Sequence, residues 1–478
     1  MSSNLPLKEN RVTHAGTSAT LAAFVANPPS IPTSALEDAR RSVLDGLGSL
    51  LAGSVEPPAR IVQDLVRDLG RADDASVFSA GRASAAGAAL ANGVATHILE
   101  LDDIHKGSTV HAAAPIIPAA LAVAEREHLG GAAFLRAVVL GYDAALRIGE
   151  AVNPSHYRHW HPTGTVATFG AAVAAGALMG LDERQMLDAL GTAGTQAAGL
   201  WEFNASGAMS KTLHPGKAAM NGVMAADLAR RGFTGAPTIL EGPRGFFVAT
   251  SAVHDARRVT TGLGEVWKVS ENGYKLYSCC GHTHTAIDAA LSLRQEHGWN
   301  ADQVLEQVRE VRVATYGPGW DIVSELNPRT PYQAKFSLAY VVSAALLEGA
   351  VGLTQFSEDR FGPSGVIQGT LARLLPRVRP AVSEELTAMY PAAWPARVEV
   401  ELTNGQVLRA GGDFPRGNQE NPVSTAELEA KFRALVEPRL GAVAAEHALT
   451  LVRTLEDIPD LAVASANLNA LCQGVRHE

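Results

Sequence analysis

The feature that most constrains this 478-residue chain is a nearly unbroken series of helical apolar patterns through its first half. Apolar residues recur there at every third or fourth position, the spacing that places them on one face of a helix. No stretch of strand-type alternation separates the patterns, so the sequence predicts an all-helical domain. The predicted helical segments cover residues 36–51, 61–69, 86–99, 112–124, 134–148, 166–179, 185–200 and 218–230.

A capping motif and small side chains support this interpretation. Ser34 and Glu37 have the spacing of a capping box, in which a hydroxyl and a carboxylate each bind a free backbone amide. A helix is therefore expected to begin near Ser34 and to end near Gly53. Aromatic residues make up only 6% of the chain and glycine is frequent, so the predicted helices can approach one another closely.

The pattern changes after about residue 262. One segment alternates with period two, as in a half-buried strand. Asn404 and Gly405 are typical of a two-residue hairpin turn between strands. Together with two further helices, these signals predict a smaller α+β domain. The predicted elements are helices at 283–295 and 333–348 and strands at 308–314, 397–403 and 406–410.

The predicted fold class is mainly α, with a large all-helical domain and a smaller α+β lid domain. We predict that residues 1–264 form the first part of the helical domain and that 265–415 form the lid. Residues 416–478 are predicted to be a helical tail that rejoins the helical domain. Ser424 and Glu427 have capping-box spacing at the start of this tail.

Composition limits the possible partners and the compartment. The net charge of −9 argues against nucleic acid, because binding phosphates needs a basic surface, but a pocket for a small anion can still be locally positive. Residues 162–181 carry no charge, yet they are mostly alanine, glycine and threonine, which predicts a buried helix and no membrane span. The three cysteines suggest no disulfide framework, so a reducing, cytoplasmic compartment is expected.

Two polar clusters that interrupt the helical patterns carry acids and histidines. Imidazole exchanges protons near neutral pH, with a reference pKa of ~6.5, so these clusters are candidates for acid–base chemistry. The alternatives are a solvated loop whose acids cap a helix and an exposed aromatic loop. The first cluster contains Glu100, Asp102, Asp103, His105 and His111, and the second contains His156, Tyr157, His159 and His161.

A third cluster places Lys211, His214 and Lys217 just before an alanine-rich helix. The helix dipole favours anions at that end, so it does not explain the lysines. A bound carboxylate would explain them, because amides and ammonium groups could converge on it. The alternative is an ordinary basic surface loop.

The fourth cluster runs from Lys275 to His284 and contains two adjacent cysteines, Cys279 and Cys280. Adjacent cysteines do not supply the spacing of a structural zinc site, and no H-E-x-x-H motif supports a metal at the acid and histidine clusters. We therefore expect no metal. The sequence also lacks a glycine-rich phosphate loop and a G-x-S-x-G motif, so nucleotide chemistry and serine hydrolysis are unsupported.

Taken in order, these clusters resemble the MmgE/PrpD family. The resemblance implies a large helical domain, a smaller α+β lid, a pocket between them, a homodimer, and no metal or organic cofactor. The family includes 2-methylcitrate dehydratase, iminodisuccinate epimerase and cis-aconitate decarboxylase. The resemblance is carried by residues 97–103 with His111, by 160–165, by 210–216, and by 275–280 with 283–284.

The resemblance also implies roles for individual residues. Glu100 stands where cis-aconitate decarboxylases have an aspartate, and Cys280 stands where they have a lid-side histidine, which makes decarboxylation the less favoured activity. The implied catalytic residues are His111, Tyr157, His161 and Lys211, and the implied substrate-binding residues are Glu100, Asp102, Lys275 and Cys280.

The sequence therefore predicts a cofactor-independent lyase or isomerase that abstracts a proton next to a carboxylate of a small di- or tricarboxylate. Dehydration of the 2-methylcitrate type is placed first, epimerisation of the iminodisuccinate type second and decarboxylation third. Two alternatives belong to other classes: a carboxylate-binding protein without chemistry, and a metal hydrolase built on the acid and histidine clusters.

Overall fold

Helices dominate the structure, a computed structural model that describes residues 16–70, 72–362 and 364–474. The predicted fold class is confirmed: a large helical part is joined to a smaller α+β part. The helices of the larger part, before residue 262, are α1 Thr17–Ala26, α2 Thr33–Gly53, α3 Pro57–Leu69, α4 Ala85–His97, α5 Ala113–Arg126, α6 Gly131–Val152, α7 Pro162–Leu178, α8 Glu183–Gly194, α9 Phe203–Ser206, α10 Ser210–Arg230, α11 Phe246–Thr250 and α12 Arg257–Thr260.

Glycines let α4 and α10 pack against each other closely. A Cβ atom on Gly93 would lie 2.8 Å from the Cα of Gly216, and one on Gly216 would lie 2.4 Å from the carbonyl oxygen of Leu90. Side chains at either position would force the helices apart, so each helix presents bare backbone to the other. The close packing positions the segment after α4, which carries Glu100, beside the first turn of α10, which carries Lys211.

The larger part differs from the prediction in two details. It contains a short antiparallel hairpin, β1 Ala75–Val77 and β2 Gly81–Ala83, so it is not purely helical. Strands of three residues are too short to produce a recognisable alternation. The capping box expected at Ser34 is also wrong, because α2 begins at Thr33 after Pro32 and has no side-chain cap.

The smaller part is built around a four-stranded sheet. The strand order is β4-β3-β5-β6, in which β3 pairs parallel with β4 and antiparallel with β5. The predicted hairpin is confirmed, and Gly405 takes a φ of 87° in the turn between β5 and β6. The elements are α13 His284–Glu296, α14 Ala301–Gln307, β3 Val308–Thr315, α15 Gly317–Val323, α16 Pro331–Ala334, α17 Leu338–Glu348, α18 Gly369–Leu374, β4 Val378–Val382, α19 Glu384–Met389, β5 Ala396–Leu402 and β6 Val407–Gly412.

The tail consists of α20 Thr425–Arg453 and α21 Leu461–Gln473. The capping box predicted at Ser424 is confirmed. Buried apolar residues of the tail belong to the same hydrophobic cluster as those of α1–α12, whereas residues 279–408 contribute a second cluster. We propose that these clusters are the cores of the two predicted domains, 1–264 with 416–478, and 265–415, except that Trp267, Val269 and Tyr274 of the predicted lid pack in the first cluster.

The uncharged segment at 162–181 is the buried helix that the sequence predicts. Every residue of α7 except Ala177 is buried. In the three described stretches, no helix is both long enough and apolar enough to cross a membrane.

Candidate active site

Glu100 lies at the centre of a buried group of charges between the two parts of the chain. Its carboxylate accepts hydrogen bonds from Lys211 of α10 and, at 3.3 Å, from Lys275, which also donates to the carbonyl oxygen of Glu100 at 3.2 Å. None of the three side chains is more than 3% exposed. Glu100 also has a φ of 60°, a conformation that non-glycine residues rarely adopt and that tends to occur at functional sites.

The charges in this group hold one another ionised. Burial alone would raise the pKa of Glu100, but the charges of Lys211 and Lys275 outweigh burial and hold the pKa well below its usual value. Burial alone would lower the pKa of Lys275, but the negative charge of Glu100 raises it. Two ammonium groups are therefore clamped on one carboxylate, which is the chemistry needed to bind a carboxylate ligand.

A third lysine at this group was missed by sequence reasoning. Lys335 donates from its ammonium group to the carbonyl oxygen of Leu99 at 3.1 Å, and its own carbonyl oxygen accepts from the amide of Cys280. Burial lowers its pKa to about 8, although the charge of Glu100 acts to raise it. Lys335 follows the short helix α16, and no local pattern distinguishes it from a surface lysine.

Three imidazole rings form the second half of the site. The ring centroids of His97 and His111 lie 4.9 Å apart, those of His97 and His161 lie 5.7 Å apart, and those of His111 and His161 lie 6.2 Å apart. The Nδ1 atom of His97 donates to the carboxylate of Asp102 at 2.7 Å. The Nδ1 atom of His111 donates to the carbonyl oxygen of Asp103 at 2.7 Å. Both hydrogen bonds leave the lone pair on Nε2.

The environment keeps His111 and His161 neutral. Burial lowers the pKa of both histidines well below the usual value. The charge of Lys275 lowers it further at His111, and His214 and Lys211 lower it further at His161. The Nε2 atoms of His97 and His161 are buried and have no hydrogen-bond partner among the described residues. A neutral, unpartnered imidazole nitrogen can accept a proton, so these rings are candidates for a general base.

Tyr157 and Cys280 are the remaining predicted residues, and they lie on the side of the same group that faces the lid. The hydroxyl of Tyr157 lies 3.2 Å from Nε2 of His282, and its ring and that of His161 each contact the ring of Trp201 with centroids 5.0 Å apart. Cys280 is buried, and burial raises the pKa of its thiol. A neutral thiol is only a weak hydrogen-bond donor, so Cys280 adds no charge to the site.

Other residues of the four polar clusters are not part of the group of charges around Glu100. Asp103 accepts hydrogen bonds from Tyr142 and Asn272 and from the amide of Ala113, so it fixes the loop after α4. His156 is bonded to Thr165. Three more residues lie apart from the site. His105 lies near Glu150 and Glu271, and His159 is exposed. Lys217 donates a hydrogen bond to the carbonyl oxygen of Ala198.

Two sets of side chains have the spacing that a metal ion would need. Their candidate ligand atoms all lie within 4.8 Å of one another among the described residues. Cys279 and Cys280 belong to neither set. Asp102 in the first set and Glu150 in the second provide carboxylate oxygens, which could bind a metal together with the histidine nitrogens. A metal at the histidines therefore stays a hypothesis to be tested. The sets are His97, Asp102 and His111, and His105, Glu150 and Glu271.

Comparison with known proteins agrees with this architecture. Residues 19–258 match the MmgE/PrpD N-terminal domain, and residues 277–457 match the MmgE/PrpD C-terminal domain. The chain is similar to the cis-aconitate decarboxylase-like protein oryM of Aspergillus oryzae, with 28% identity over 91% of this chain and 93% of the relative. It is also similar to the cis-aconitate decarboxylases of Aspergillus terreus (28%, 90% of this chain and 89% of the relative) and Homo sapiens (26%, 91% and 90%). The chain belongs to the MmgE/PrpD family.

Proposed function

We propose that this protein is a lyase that moves a proton at a carbon next to a carboxylate of a small di- or tricarboxylate. The observation that carries the proposal is the buried group of lysines around Glu100, which lies beside His97 and His161, whose Nε2 atoms have no hydrogen-bond partner among the described residues. Lysines supply charge for carboxylates, and the histidines supply a base. A protein that only bound carboxylates would need the lysines alone.

The proposed reaction begins when a substrate carboxylate takes the place of Glu100 on Lys211 and Lys275. Nε2 of His111 then removes the proton from the carbon next to that carboxylate. The negative charge that develops on the carboxylate is stabilised by the two ammonium groups, whose attraction is strong because the site is buried. His161 and His97 lie within one ring contact of His111 and are the other candidates for the base.

Dehydration of the 2-methylcitrate type is the first candidate. Loss of water needs a base for the carbon-bound proton and an acid for the leaving hydroxyl, and His111 and Tyr157 supply both types of group. Decarboxylation of the cis-aconitate type is the second candidate, because the relatives reported above are named for it. Epimerisation stays a prediction of the sequence alone. As the family resemblance implies, we also propose a homodimer, which light scattering tests.

The proposal is tested by incubating the protein in D₂O with citrate, 2-methylcitrate, iminodisuccinate and cis-aconitate, and following each by proton NMR. We expect deuterium to enter beside a carboxylate of at least one compound. A new alkene with loss of the hydroxyl identifies dehydration, and release of bicarbonate identifies decarboxylation. Binding measured by calorimetry without exchange or turnover for any compound would identify a carboxylate-binding protein and contradict the proposal.

Lys335 is expected to make kcat/KM fall at alkaline pH. Burial lowers its pKa to about 8, so the ammonium charge is lost as the pH rises through about 8. We therefore expect kcat/KM to fall above that pH in the wild type. In Lys335→Met the fall should disappear and kcat/KM should be lower throughout. Identical pH profiles for the two proteins would exclude Lys335 from substrate binding.

Activity is expected to survive exhaustive chelation. The proposed reaction needs a base, an acid and cations for carboxylates, and the adjacent Cys279 and Cys280 belong to neither set of closely spaced candidate ligands. The measurement is turnover before and after dialysis against a chelator, with metal content determined by mass spectrometry. Loss of activity that one added metal restores would favour the metal hydrolase.

A further inference from the structure

A hydrogen-bonded chain of three side chains joins the helical part to the lid. The hydroxyl of Tyr157, between α6 and α7, lies 3.2 Å from Nε2 of His282. The Nδ1 atom of His282 lies 2.5 Å from the hydroxyl of Tyr316, just before α15. His282 and Tyr316 are buried, and the ring of Trp394 covers the imidazole with centroids 4.5 Å apart. Neither His282 nor Tyr316 has a role in the proposed reaction.

The order of hydrogen bonds along this chain decides what Tyr157 can do. If the hydroxyl of Tyr316 donates to Nδ1 of His282, then Nε2 carries the proton and donates to the oxygen of Tyr157. The hydroxyl proton of Tyr157 is then free to point at a ligand. With the other tautomer, the hydroxyl of Tyr157 would be used up as a donor to Nε2.

We propose that Tyr157 is the proton donor of the reaction and that His282, oriented by Tyr316, is the positioning residue that presents its hydroxyl to the substrate. This inference rests on the proposed function. His282 follows Cys280 by two positions, just before the start of α13. It acts through Tyr157 and does not touch the substrate itself.

The step balances for dehydration. His111 takes the proton from carbon, and the electron pair of the broken C–H bond forms the double bond. The C–O bond breaks, and the proton of the Tyr157 hydroxyl goes to the leaving oxygen to form water. The Nε2–H group of His282 stabilises the resulting phenolate. Tyr157 regains a proton, and the proton on His111 is released, when the site opens and the products leave.

The environments of Tyr157 and His282 fit these two roles. Burial raises the pKa of Tyr157 well above its usual value, and the nearby charge of Glu100 raises it further, so the hydroxyl keeps its proton until a substrate is bound. Burial, together with the charge of Lys275, lowers the pKa of His282 to about 3, so its imidazole stays neutral. Tyr157 and His282 lie in different parts of the chain, so their hydrogen bond joins the helical part to the lid.

The first experiment uses the substrate identified in the NMR panel. His282→Leu should lower kcat by ~10²-fold with KM changed by less than about threefold, while exchange of the carbon-bound proton persists. His282→Gln, whose amide can still donate to Tyr157, should recover part of the loss. Tyr157→Phe should match His282→Leu, and the double variant should be no slower, because the two residues act as one unit. The exposed His159→Leu is the control and should behave as wild type.

The inference would be overturned by near-wild-type turnover in His282→Leu or by multiplicative losses in the double variant. A loss of proton exchange in parallel with turnover would also overturn it, because that pattern is expected of a residue that only maintains the fold.

A second measurement needs no substrate and therefore separates this inference from the proposed function. Nitrogen-15 NMR of histidine-labelled full-length protein, assigned with His282→Gln, reads the tautomer directly. We expect the proton of His282 on Nε2, and a changed signal in Tyr316→Phe. A proton on Nδ1 would overturn the inference even if the enzyme proves to be a lyase. If no compound of the panel reacts but the tautomer is as expected, the proposed function fails while the arrangement of the donor stands.

Discussion

Replacing Lys211 with methionine is expected to lower turnover by ~10²-fold or more, the range found when a charge-stabilising group is removed from an active site. The methylene groups are retained, but the charge that holds a substrate carboxylate is lost. The free energy of unfolding should fall too, by about 1–3 kcal/mol, because Glu100 loses one of its two buried partners. The measurements are kcat and KM on the panel substrate and the midpoint of urea unfolding.

Two further variants separate the catalytic effect from the structural one. Lys217→Met, six residues along the same helix, removes a lysine that binds the carbonyl oxygen of Ala198, so turnover should change little. Lys211→Met combined with Glu100→Gln removes the uncompensated charge, so stability should return while turnover stays low. If stability and turnover return together, Lys211 acts only by neutralising Glu100 and the proposed clamp is wrong.

Arg147→Met is expected to have the largest effect on stability, about 3–5 kcal/mol, as found when one partner of a buried ion pair is removed. Arg147 is 1% exposed and pairs with Asp143 at 2.7 Å. Its other nitrogen atoms donate to the carbonyl oxygens of Thr261, Gly262 and Val266. The substitution therefore strands a buried carboxylate and three backbone acceptors in the segment that leads into the lid.

Urea unfolding monitored by circular dichroism measures this effect. The matched control is Arg257→Met, because Arg257 also pairs with an aspartate, Asp255, but its side chain is 86% exposed. An exposed pair contributes little, so the midpoint should barely move. Equal effects of the two substitutions would mean that the network around Arg147 does not hold the segment in place.

Local signals predicted most of the fold, because short-range physics fixes those elements. The turn at Asn404 and the cap at Ser424 depend on a few consecutive residues, and both are where the sequence predicts them. The predicted capping residue of α2 was wrong because Pro32, in an extended conformation, takes the N-cap position there. That moves the first helical residue to Thr33 and leaves Ser34 inside the helix.

The sequence predicted part of the candidate site, and the residues that it did not predict were missed for one physical reason. Lys211 was recognised from its motif, but the alternative of a surface loop is wrong: it lies in the first turn of α10 and is 2% exposed. Lys335 reaches Leu99 across 236 positions of sequence, and His282 reaches Tyr157 across 125. Contacts of that separation arise from the packing of the lid on the helices and leave no local pattern.

Under the proposed function, the position of Glu100 makes its side chain a competitor of the substrate. A substrate would compete with this tethered carboxylate for Lys211 and Lys275, so its affinity would be multiplied by the fraction of time that Glu100 leaves the two lysines free. The same competition helps at the end of the cycle, when the returning side chain displaces the product from the lysines. Weak binding and rapid release would thus have a single origin, and both should change together when Glu100 is shortened to aspartate.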